Sequence, residues 1–274
     1  MADQPKKVIE VENLVTHYGP RKILDGVSMS VNEGEIMVIM GGSGSGKSTL
    51  LRYLMALEHQ TSGTIKLLGQ DIDTLSQKEM FDLRKKIGVA FQGGALFSSM
   101  TVGENIILPL YEHAELDMMT MEIMARMKLE VVDLAGFEDL MPAELSGGMI
   151  KRAAFARAVV MDPKLLFCDE PSAGLDPVVA SALDDLILKL RDAMSMTVVV
   201  VTHELESVFK IADRVTVLDR GKILFIGTID ELRNSKSERI QNLLNRRPEE
   251  DNIDPDEYLR RLTGQEERVG DATL

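Results

Sequence analysis

The sequence predicts an α/β fold in which a largely parallel sheet is buried between helices. Apolar runs of strand length occur at residues 36–40, 164–169 and 197–202, and such continuous runs are typical of parallel strands covered on both faces. Between the last two runs, aliphatic residues recur at helical spacing from Val179 to Leu190, as on a helix that packs against a sheet. The third observation is a glycine-rich segment directly after the first run.

This glycine-rich segment, residues 41–49, has the pattern G-x-x-x-x-G-K-[ST] between a strand and a helical pattern. That context favours a phosphate-binding loop over a flexible glycine–serine linker. Glycines let backbone N–H groups converge on one point, where the helix N-terminus adds free donors. Lys47 is predicted to reach the β- and γ-phosphates of a nucleotide, and Ser48 to hold Mg²⁺. The predicted nucleotide contacts of this segment are Gly41, Gly42, Ser43, Gly44, Ser45, Gly46, Lys47, Ser48 and Thr49.

The first part of the chain adds strands of another kind. Residues 8–18 and 27–31 alternate between apolar and polar side chains, which indicates half-exposed antiparallel strands. Residues 63–68 and 87–91 are predicted as further strands, and the polar segment 76–86 as a short helix between them.

The second part of the chain is mainly helical before the sheet resumes. From about residue 93 to 160 the pattern is helical, with a methionine-rich part at residues 117–134. Such a stripe is more typical of an adaptable core than of a soft surface that receives a partner helix. Residues 215–218 and 222–226 are predicted as a hairpin, and about 230–245 as one helix.

Composition limits the class of protein. The 274 residues are 45% hydrophobic, enough for a sizeable core, and the formal net charge of −13 argues against nucleic acid as a partner, since that calls for clustered lysine and arginine. The single cysteine, Cys168, cannot form an internal disulfide, which suits a reducing cytoplasm. The N-terminus lacks the apolar core of a signal peptide, and no run approaches the ~18 apolar residues that span a bilayer. We therefore expect a soluble cytoplasmic chain.

Two carboxylates, Asp169 and Glu170, follow the apolar run that begins at residue 164. Neighbouring side chains on a strand face opposite ways, so the two acids are not expected to share one role. Asp169 is predicted to hold Mg²⁺, directly or through water, and Glu170 to orient or deprotonate an attacking water. A solvated acidic loop is the alternative, and the phosphate-binding loop elsewhere in the chain disfavours it.

The segment Glu-Leu-Ser-Gly-Gly-Met at residues 144–149 precedes a helix rich in small and basic residues. Ser146 is a good N-cap, and Gly147 and Gly148 leave backbone N–H groups open to an anion. A plain helix start accounts for Ser-Gly but not for two glycines. Leu-Ser-Gly-Gly, placed after a phosphate-binding loop and before an acidic strand, resembles the signature of the ATP-binding cassette (ABC) ATPases.

The resemblance extends to the remaining ABC elements, which occur in order. Tyr18 matches the aromatic residue that stacks on adenine, and Gln92 matches the glutamine that approaches Mg²⁺ and the lytic water. Residues 172–176, which end at Asp176, match the D-loop, and His203 matches the switch histidine. A histidine alone at that position would more often be structural. Because the other motifs are present, we favour the switch role for His203.

The fold class that follows is α/β: a P-loop NTPase (RecA-like) core with an antiparallel β subdomain and an inserted helical subdomain. The ABC ATPase domain is predicted at residues 7–230, with the helical subdomain at about 93–160. Residues 231–274 are predicted as a C-terminal helix, an acidic tether and a short helix from Asp254 that docks on a second copy or a small partner. A disordered tail is the alternative for the last part.

Residues 93–102 and the segment Ser-Gly-Gly-Met-Ile-Lys-Arg, with Met149 where most cassettes have glutamine, are similar to the ATPases of MCE-type lipid transporters. The resemblance implies that hydrolysis of ATP, with Mg²⁺, moves phospholipid between inner and outer membranes and so supports outer-membrane lipid asymmetry. It implies a head-to-tail dimer of two copies, an inner-membrane permease dimer, a periplasmic MCE-domain protein and a small STAS-domain protein. The chain itself would lie on the cytoplasmic face of the inner membrane.

Three alternatives stay open at this point. One is an ABC transport ATPase for another substrate, such as amino acids, or for lipoprotein release. Another is a soluble ABC protein of DNA repair or translation, although neither heptad arms nor a second cassette is evident in the sequence. The third is a nucleotide-binding scaffold without turnover, which the presence of Glu170, Gln92 and His203 disfavours.

Overall fold

A computed structural model describes residues 5–247 of the chain. One compact unit extends to Asn234, and a second unit begins at Ser235. The predicted acidic tether and the short helix from Asp254 lie outside the described residues. Within residues 5–247, no helix combines the length and the hydropathy that crossing a bilayer requires.

The strands of the first unit agree closely with the sequence periodicity. They are β1 (Lys7–Tyr18), β2 (Arg21–Asn32), β3 (Ile36–Met40), β4 (Ser62–Leu67), β5 (Gln70–Asp71), β6 (Ile87–Ala90), β7 (Leu165–Asp169), β8 (Thr197–Val201), β9 (Arg214–Asp219) and β10 (Lys222–Thr228). The short β5 carries too few residues for any periodicity, so the sequence did not indicate it.

The helices begin mostly at side-chain caps. They are α1 (Lys47–Leu54), α2 (Gln77–Arg84), α3 (Val102–His113), α4 (Met118–Val131), α5 (Gly147–Ala158), α6 (Pro177–Met194), α7 (Leu205–Ile211), α8 (Ile229–Arg233) and α9 (Glu238–Leu244). The capping side chains that accept a backbone N–H are Ser76, Thr101, Asp117, Ser146, Asp176 and Thr228. Such caps satisfy donors that the first turn would otherwise leave unpaired.

The central sheet has the strand order β10-β9-β3-β8-β7-β6. Every neighbouring pair is parallel except β9 and β10, which form an antiparallel hairpin. All residues of β3 and β8 are buried, as expected for strands covered on both faces. The predicted α/β class is therefore confirmed.

A second sheet has the order β2-β1-β4-β5 and is antiparallel throughout. Its apolar side chains join those of the central sheet in one core cluster, to which α1 contributes Leu50, Leu51 and Leu54. The helix that follows the glycine-rich segment is thus fixed by burial on its apolar side. The glycine-rich segment itself is held between two buried elements.

Helices α3, α4 and α5 pack on one another within the part of the chain predicted to be helical. The interpretation of the α4 methionines as core is largely wrong. Met121 is buried, but Met118, Met119 and Met127 are exposed, Met119 by 70%. Met119 and Met127 lie on the side of α4 opposite Ala125 and Leu129, which take the buried positions, and Met118 is exposed at the first residue of the helix.

The single helix predicted at about 230–245 is two helices. α8 ends at Arg233 and α9 begins at Glu238. The side-chain amide of Gln241 donates to the carbonyl of Ser235, within the segment that separates them. Polar Asn-Ser-Lys-Ser at 234–237 favours a cap and turn over a continuous helix, because serine and asparagine bond to nearby backbone groups.

Candidate nucleotide site

The predicted site residues that follow β3, β6, β7 and β8 gather at one edge of the central sheet. β3, β8, β7 and β6 are adjacent and parallel, so their carboxyl ends lie together. Ile39 pairs with Val201, and Val201 pairs with Asp169. The segments that leave this edge carry the glycine-rich loop, His203, Glu170 and Gln92. Ligands of open parallel sheets bind at this edge.

The loop of residues 41–46 joins β3 to α1 and requires glycine at two positions. At Gly41 a Cβ would lie 2.0 Å from the carbonyl oxygen of Leu218. Gly46, the N-cap of α1, has φ +104°, a conformation that side chains disfavour. The backbone can therefore wrap closely, and the first turn of α1 holds Ser48 and Thr49 with Lys47 at its start.

The side chain of Lys47 donates hydrogen bonds back to the loop that precedes it. Its Nζ donates to the carbonyl oxygens of Gly41 at 2.9 Å and Gly42 at 3.0 Å. An ammonium has three donors, so one remains for a phosphate oxygen. Burial lowers the pKa of Lys47, and the carboxylates of Glu170 and Asp169 oppose that shift. The two carboxylates therefore attract the ammonium and stabilise its charged form.

Asp169 is the last residue of β7 and carries an unsatisfied acceptor. Its buried Oδ1 has no hydrogen-bond partner among the described residues. Burial raises the pKa of Asp169, and the negative charge of Glu170 raises it further. A carboxylate that is buried without a partner is costly, and a divalent cation would satisfy it. The donor set of Asp169, Ser48 and Gln92 consists of oxygen groups, which fits Mg²⁺.

Glu170 follows β7 in the left-handed region, with φ +45°. Its carboxyl Oε1 lies 2.8 Å from Nδ1 of His203, while Oε2 is buried without a partner among residues 5–247. The Glu170 side chain is 12% exposed and His203 is 60% exposed. One carboxylate oxygen is thus oriented by the imidazole, and the other is left to accept from a water or a substrate group.

Tyr18 ends β1 next to α1. Its hydroxyl donates to Glu58 Oε2 at 3.1 Å, and Glu58 also pairs with Arg52 of α1 at 3.1 Å. The tyrosine remains 45% exposed. The polar end of the ring is therefore fixed beside the P-loop helix, and the exposed ring can stack on a base.

The signature residues form the start of α5. Ser146 Oγ accepts from the N–H of Met149 at 3.3 Å, as predicted for an N-cap. A Cβ at Gly148 would lie 2.8 Å from Cγ1 of Val179, so the start of α6 needs glycine there. Asp176 caps α6 by accepting from the N–H groups of Val178 and Val179, both at 3.1 Å.

Gln92 lies two residues beyond β6, because this strand ends at Ala90 and not at Phe91 as predicted. Its backbone carbonyl accepts from Nζ of Lys151, a side chain of α5 that the sequence analysis did not single out. The signal that could have found Lys151 is a lysine shortly before the alanine-rich segment 153–158, on a helix next to the site.

The fold and this edge define a P-loop ATPase with the elements of a transport cassette. A family model described as "ABC transporter" matches residues 24–173. The chain belongs to the ABC transporter family of ATP-binding proteins.

Relatives with assigned names show which members of the family this chain is similar to. The "Intermembrane phospholipid transport system ATP-binding protein MlaF" of Haemophilus influenzae is 40% identical over 87% of this chain and 90% of its own. The "Probable ribonucleotide transport ATP-binding protein mkl" of Mycobacterium leprae is 37% identical over 87% of this chain and 69% of its own.

A solved structure supports both the fold and the chemistry of the class. A dimeric ATP-binding cassette in a post-hydrolysis state with ADP and Pi matches with a TM-score of 0.74 at 30% identity. The match covers 81% of this chain and 98% of that one. The confirmed class is thus an ATPase that binds ATP.

The raised pKa of Asp169 predicts a trade between stability and function. A folded-state pKa above the ordinary value of 3.8 means that the folded protein binds this proton more tightly than the unfolded chain. Stability from Asp169 is therefore present below that value and is lost as the pH rises through the folded pKa. Asp169→Asn should raise the Tm of the nucleotide-free protein at pH 7, and the gain should shrink toward pH 4.

The size of this gain is limited by solvent screening, since Asp169 is only partly buried. A change of 1 kcal/mol shifts the Tm of a domain of this size by about 2–4 °C, and we expect no more than that. Asp192→Asn, at an exposed aspartate of α6, is the matched control. A lower Tm for Asp169→Asn at pH 7 would contradict the prediction.

Proposed function

We propose that the chain is the ATP-hydrolysing subunit of an inner-membrane transporter that moves phospholipids between the inner and outer membranes. In this role it maintains the lipid asymmetry of the outer membrane and lies on the cytoplasmic face of the inner membrane. The observation that carries the proposal is the 40% identity to a relative named for intermembrane phospholipid transport, along nine-tenths of that relative.

The geometry supports a division of roles within one copy. Lys47 and the N–H groups of residues 41–46 bind the phosphates, and Ser48, Asp169 and Gln92 hold Mg²⁺. When bound, Mg²⁺ neutralises charge on the β- and γ-phosphates. Glu170 has a buried and oriented carboxylate, and it is the general base for the attacking water. His203 holds that carboxylate through the 2.8 Å contact.

Two copies complete the site head to tail. Ser146, Gly147 and Gly148 present the N-terminus of α5, whose N–H groups suit an anionic phosphate. In the assembled dimer they close on the nucleotide held by the P-loop of the other copy, with Tyr18 stacked on adenine and Asp176 at the contact between copies. The solved cassette that matches this chain is dimeric, which supports an assembly of two copies.

The permease has a suitable docking surface beside Gln92. A groove with a volume of about 590 Å³ is lined by apolar side chains and by basic ones. Phe91 and Phe97 are exposed there, and Leu108 and Pro109 of α3 form part of the wall. Exposed aromatic side chains in a groove are typical of a buried anchor site for a partner helix. We assign this groove to a helix of the membrane-embedded permease dimer.

The remaining proposed partners are a periplasmic MCE-domain protein and a small STAS-domain protein. The exposed methionines of α4, Met118, Met119 and Met127, support a protein partner on the cytoplasmic side. Flexible thioether side chains adapt to a contact surface, and an apolar face of this kind is unusual on an isolated chain.

The proposed function predicts ATP-dependent lipid movement by the intact complex. The full chain, purified with its membrane partners and reconstituted in liposomes, should transfer a fluorescent phospholipid to acceptor vesicles when ATP and Mg²⁺ are added. The same complex with Glu170→Gln should show about 1% of that rate or less, because general-base catalysis contributes at least about 10²-fold. As an independent check, phospholipid should be recovered when the purified complex is extracted with organic solvent.

A second candidate, transport of another substrate, has support from the mycobacterial relative named for ribonucleotide transport. The same liposomes loaded with labelled ribonucleotide or amino acid separate the two. Uptake or release of these solutes without lipid transfer would overturn the phospholipid proposal and leave the ATPase class intact.

A further inference from the structure

Lys151 is a buried cation on α5 next to the reacting residues. It is 8% exposed. Its Nζ donates to the backbone carbonyl of Gln92 and to that of Glu170, the latter at 3.4 Å. One ammonium therefore joins the main chain of the two segments whose side chains the proposed mechanism uses.

The loop after β6 is fastened to the same helix at two further points. Arg157 of α5 donates to the carbonyl oxygens of Ala95 at 2.7 Å and Gly94 at 2.9 Å. A Cβ at Gly94 would lie 2.7 Å from Cγ2 of Ile150. The segment 92–95 therefore follows α5 closely, and Lys151 extends that connection to Glu170.

The charge of Lys151 has no simple structural explanation. Within residues 5–247 it forms no ion pair, and its hydrogen bonds go to backbone carbonyls. Burial lowers the pKa of Lys151, while the carboxylates of Glu170 and Asp169 oppose that shift. Burying a cation is costly, and an apolar side chain of similar length would pack at lower cost. The position is thus better explained by what the ammonium holds than by packing.

We propose that Lys151 is a positioning residue for hydrolysis, whose ammonium fixes the main chain of Gln92 relative to that of Glu170. The inference rests on the proposed roles of Gln92 and Glu170. With both carbonyls on one ammonium, the Gln92 amide and the Glu170 carboxylate face the same water. Lys151 itself touches neither nucleotide nor water in this role.

The position of Lys151 on α5 adds a link to the signature. Lys151 lies one helical turn after Gly147 and Gly148, and residues four apart lie on the same side of a helix. A displacement of the start of α5 therefore moves the ammonium and both carbonyls together. When the signature of one copy closes on the nucleotide held by the other copy, it therefore aligns Gln92 and Glu170 in its own copy.

The test is a set of three substitutions in the full chain within the intact complex. Lys151→Met should lower kcat for ATP by about 10- to 10²-fold, because a misplacement of a catalytic group by about 1 Å can cost about 10²-fold. KM and the affinity for a fluorescent ATP analogue should change less than about 3-fold, since the phosphate contacts remain. Lys151→Arg should restore most of kcat, because a guanidinium can donate to both carbonyls. Lys151→Gln, which is neutral, should fall between the two.

A matched control is Lys189→Met. Lys189 of α6 also donates its Nζ to a backbone carbonyl, that of Val131 at 3.0 Å, but at an exposed place. Its kcat should equal that of the unsubstituted complex. Thermal unfolding of every variant shows whether a loss of kcat follows from a loss of fold.

A wild-type kcat for Lys151→Met would overturn the inference. So would equal losses in kcat and nucleotide affinity that Lys151→Arg does not reverse. Combining Lys151→Met with Glu170→Gln should add little to the loss, because the two act on one step, and a fully additive loss would also overturn it. If Glu170→Gln alone keeps its turnover, the failure lies in the proposed function and not in Lys151.

Discussion

Glu170→Gln should lower ATP turnover at least about 10²-fold while leaving ATP binding intact, because it removes a general base and little else. The amide has nearly the shape of the carboxylate, and its oxygen can still accept from Nδ1 of His203, which lies 2.8 Å from Oε1 in the native chain. With nucleotide bound and not hydrolysed, the dimer should accumulate in its closed state. Steady-state hydrolysis by the purified complex, nucleotide titration and the size of the ATP-bound assembly measure the three effects.

Glu204→Gln is the matched control for this prediction. Glu204 Oε1 lies 3.4 Å from Nε2 of the same histidine, on its other side, and its side chain is exposed. The same change of charge at the same imidazole should therefore cost only a small fraction of the loss. Near-normal hydrolysis by Glu170→Gln, or an equal loss in both variants, would remove Glu170 from the role of base.

The central sheet could be predicted because its strands are recognisable from the sequence of each strand alone. Each of β3, β7 and β8 is a continuous apolar run of strand length, and a parallel sheet buries both faces of such runs. The carboxyl ends of these strands meet at one edge, so the loop 41–46, Glu170 and His203 had to converge once the sheet was parallel. The convergence of these three segments was thus predictable from motifs plus one rule of topology.

The exposed face of α4 could not be predicted, because periodicity shows which residues share a face and not which face is covered. Met121 shares its face with Ala125 and Leu129 and is buried, while Met119 and Met127 lie on the other side. Methionine is common in both environments. The outcome depends on the packing of α3 and α5 against α4, which composition does not encode.

The contacts of Lys151 were hidden for a different reason. Its partners are backbone carbonyls 59 and 19 residues away, and a carbonyl leaves no mark in the sequence. Side-chain motifs locate the acids, the histidine and the glutamine, but the main-chain connections that orient them become visible only in three dimensions. The same holds for Arg157 and the carbonyls of Gly94 and Ala95.

Lys47→Ala should weaken ATP binding itself by at least about 10- to 10²-fold, in contrast to Glu170→Gln. A hydrogen bond to a charged group contributes about 1.5–3 kcal/mol, and each 1.4 kcal/mol is tenfold in affinity, so losing the one phosphate contact already costs about 10- to 10²-fold. The loop would also lose the bonds from Nζ to the carbonyls of Gly41 and Gly42.

Lys22→Ala, at an exposed lysine of β2 that pairs with Asp25 at 2.9 Å, is the control and should bind ATP normally. Titration with a fluorescent ATP analogue, together with thermal unfolding, separates lost phosphate contacts from a disordered loop. Unchanged affinity with lost turnover would mean that Lys47 acts on the transition state alone. In that case the free donor of its ammonium, left over after the two loop carbonyls, serves the γ-phosphate only as the bond to it breaks.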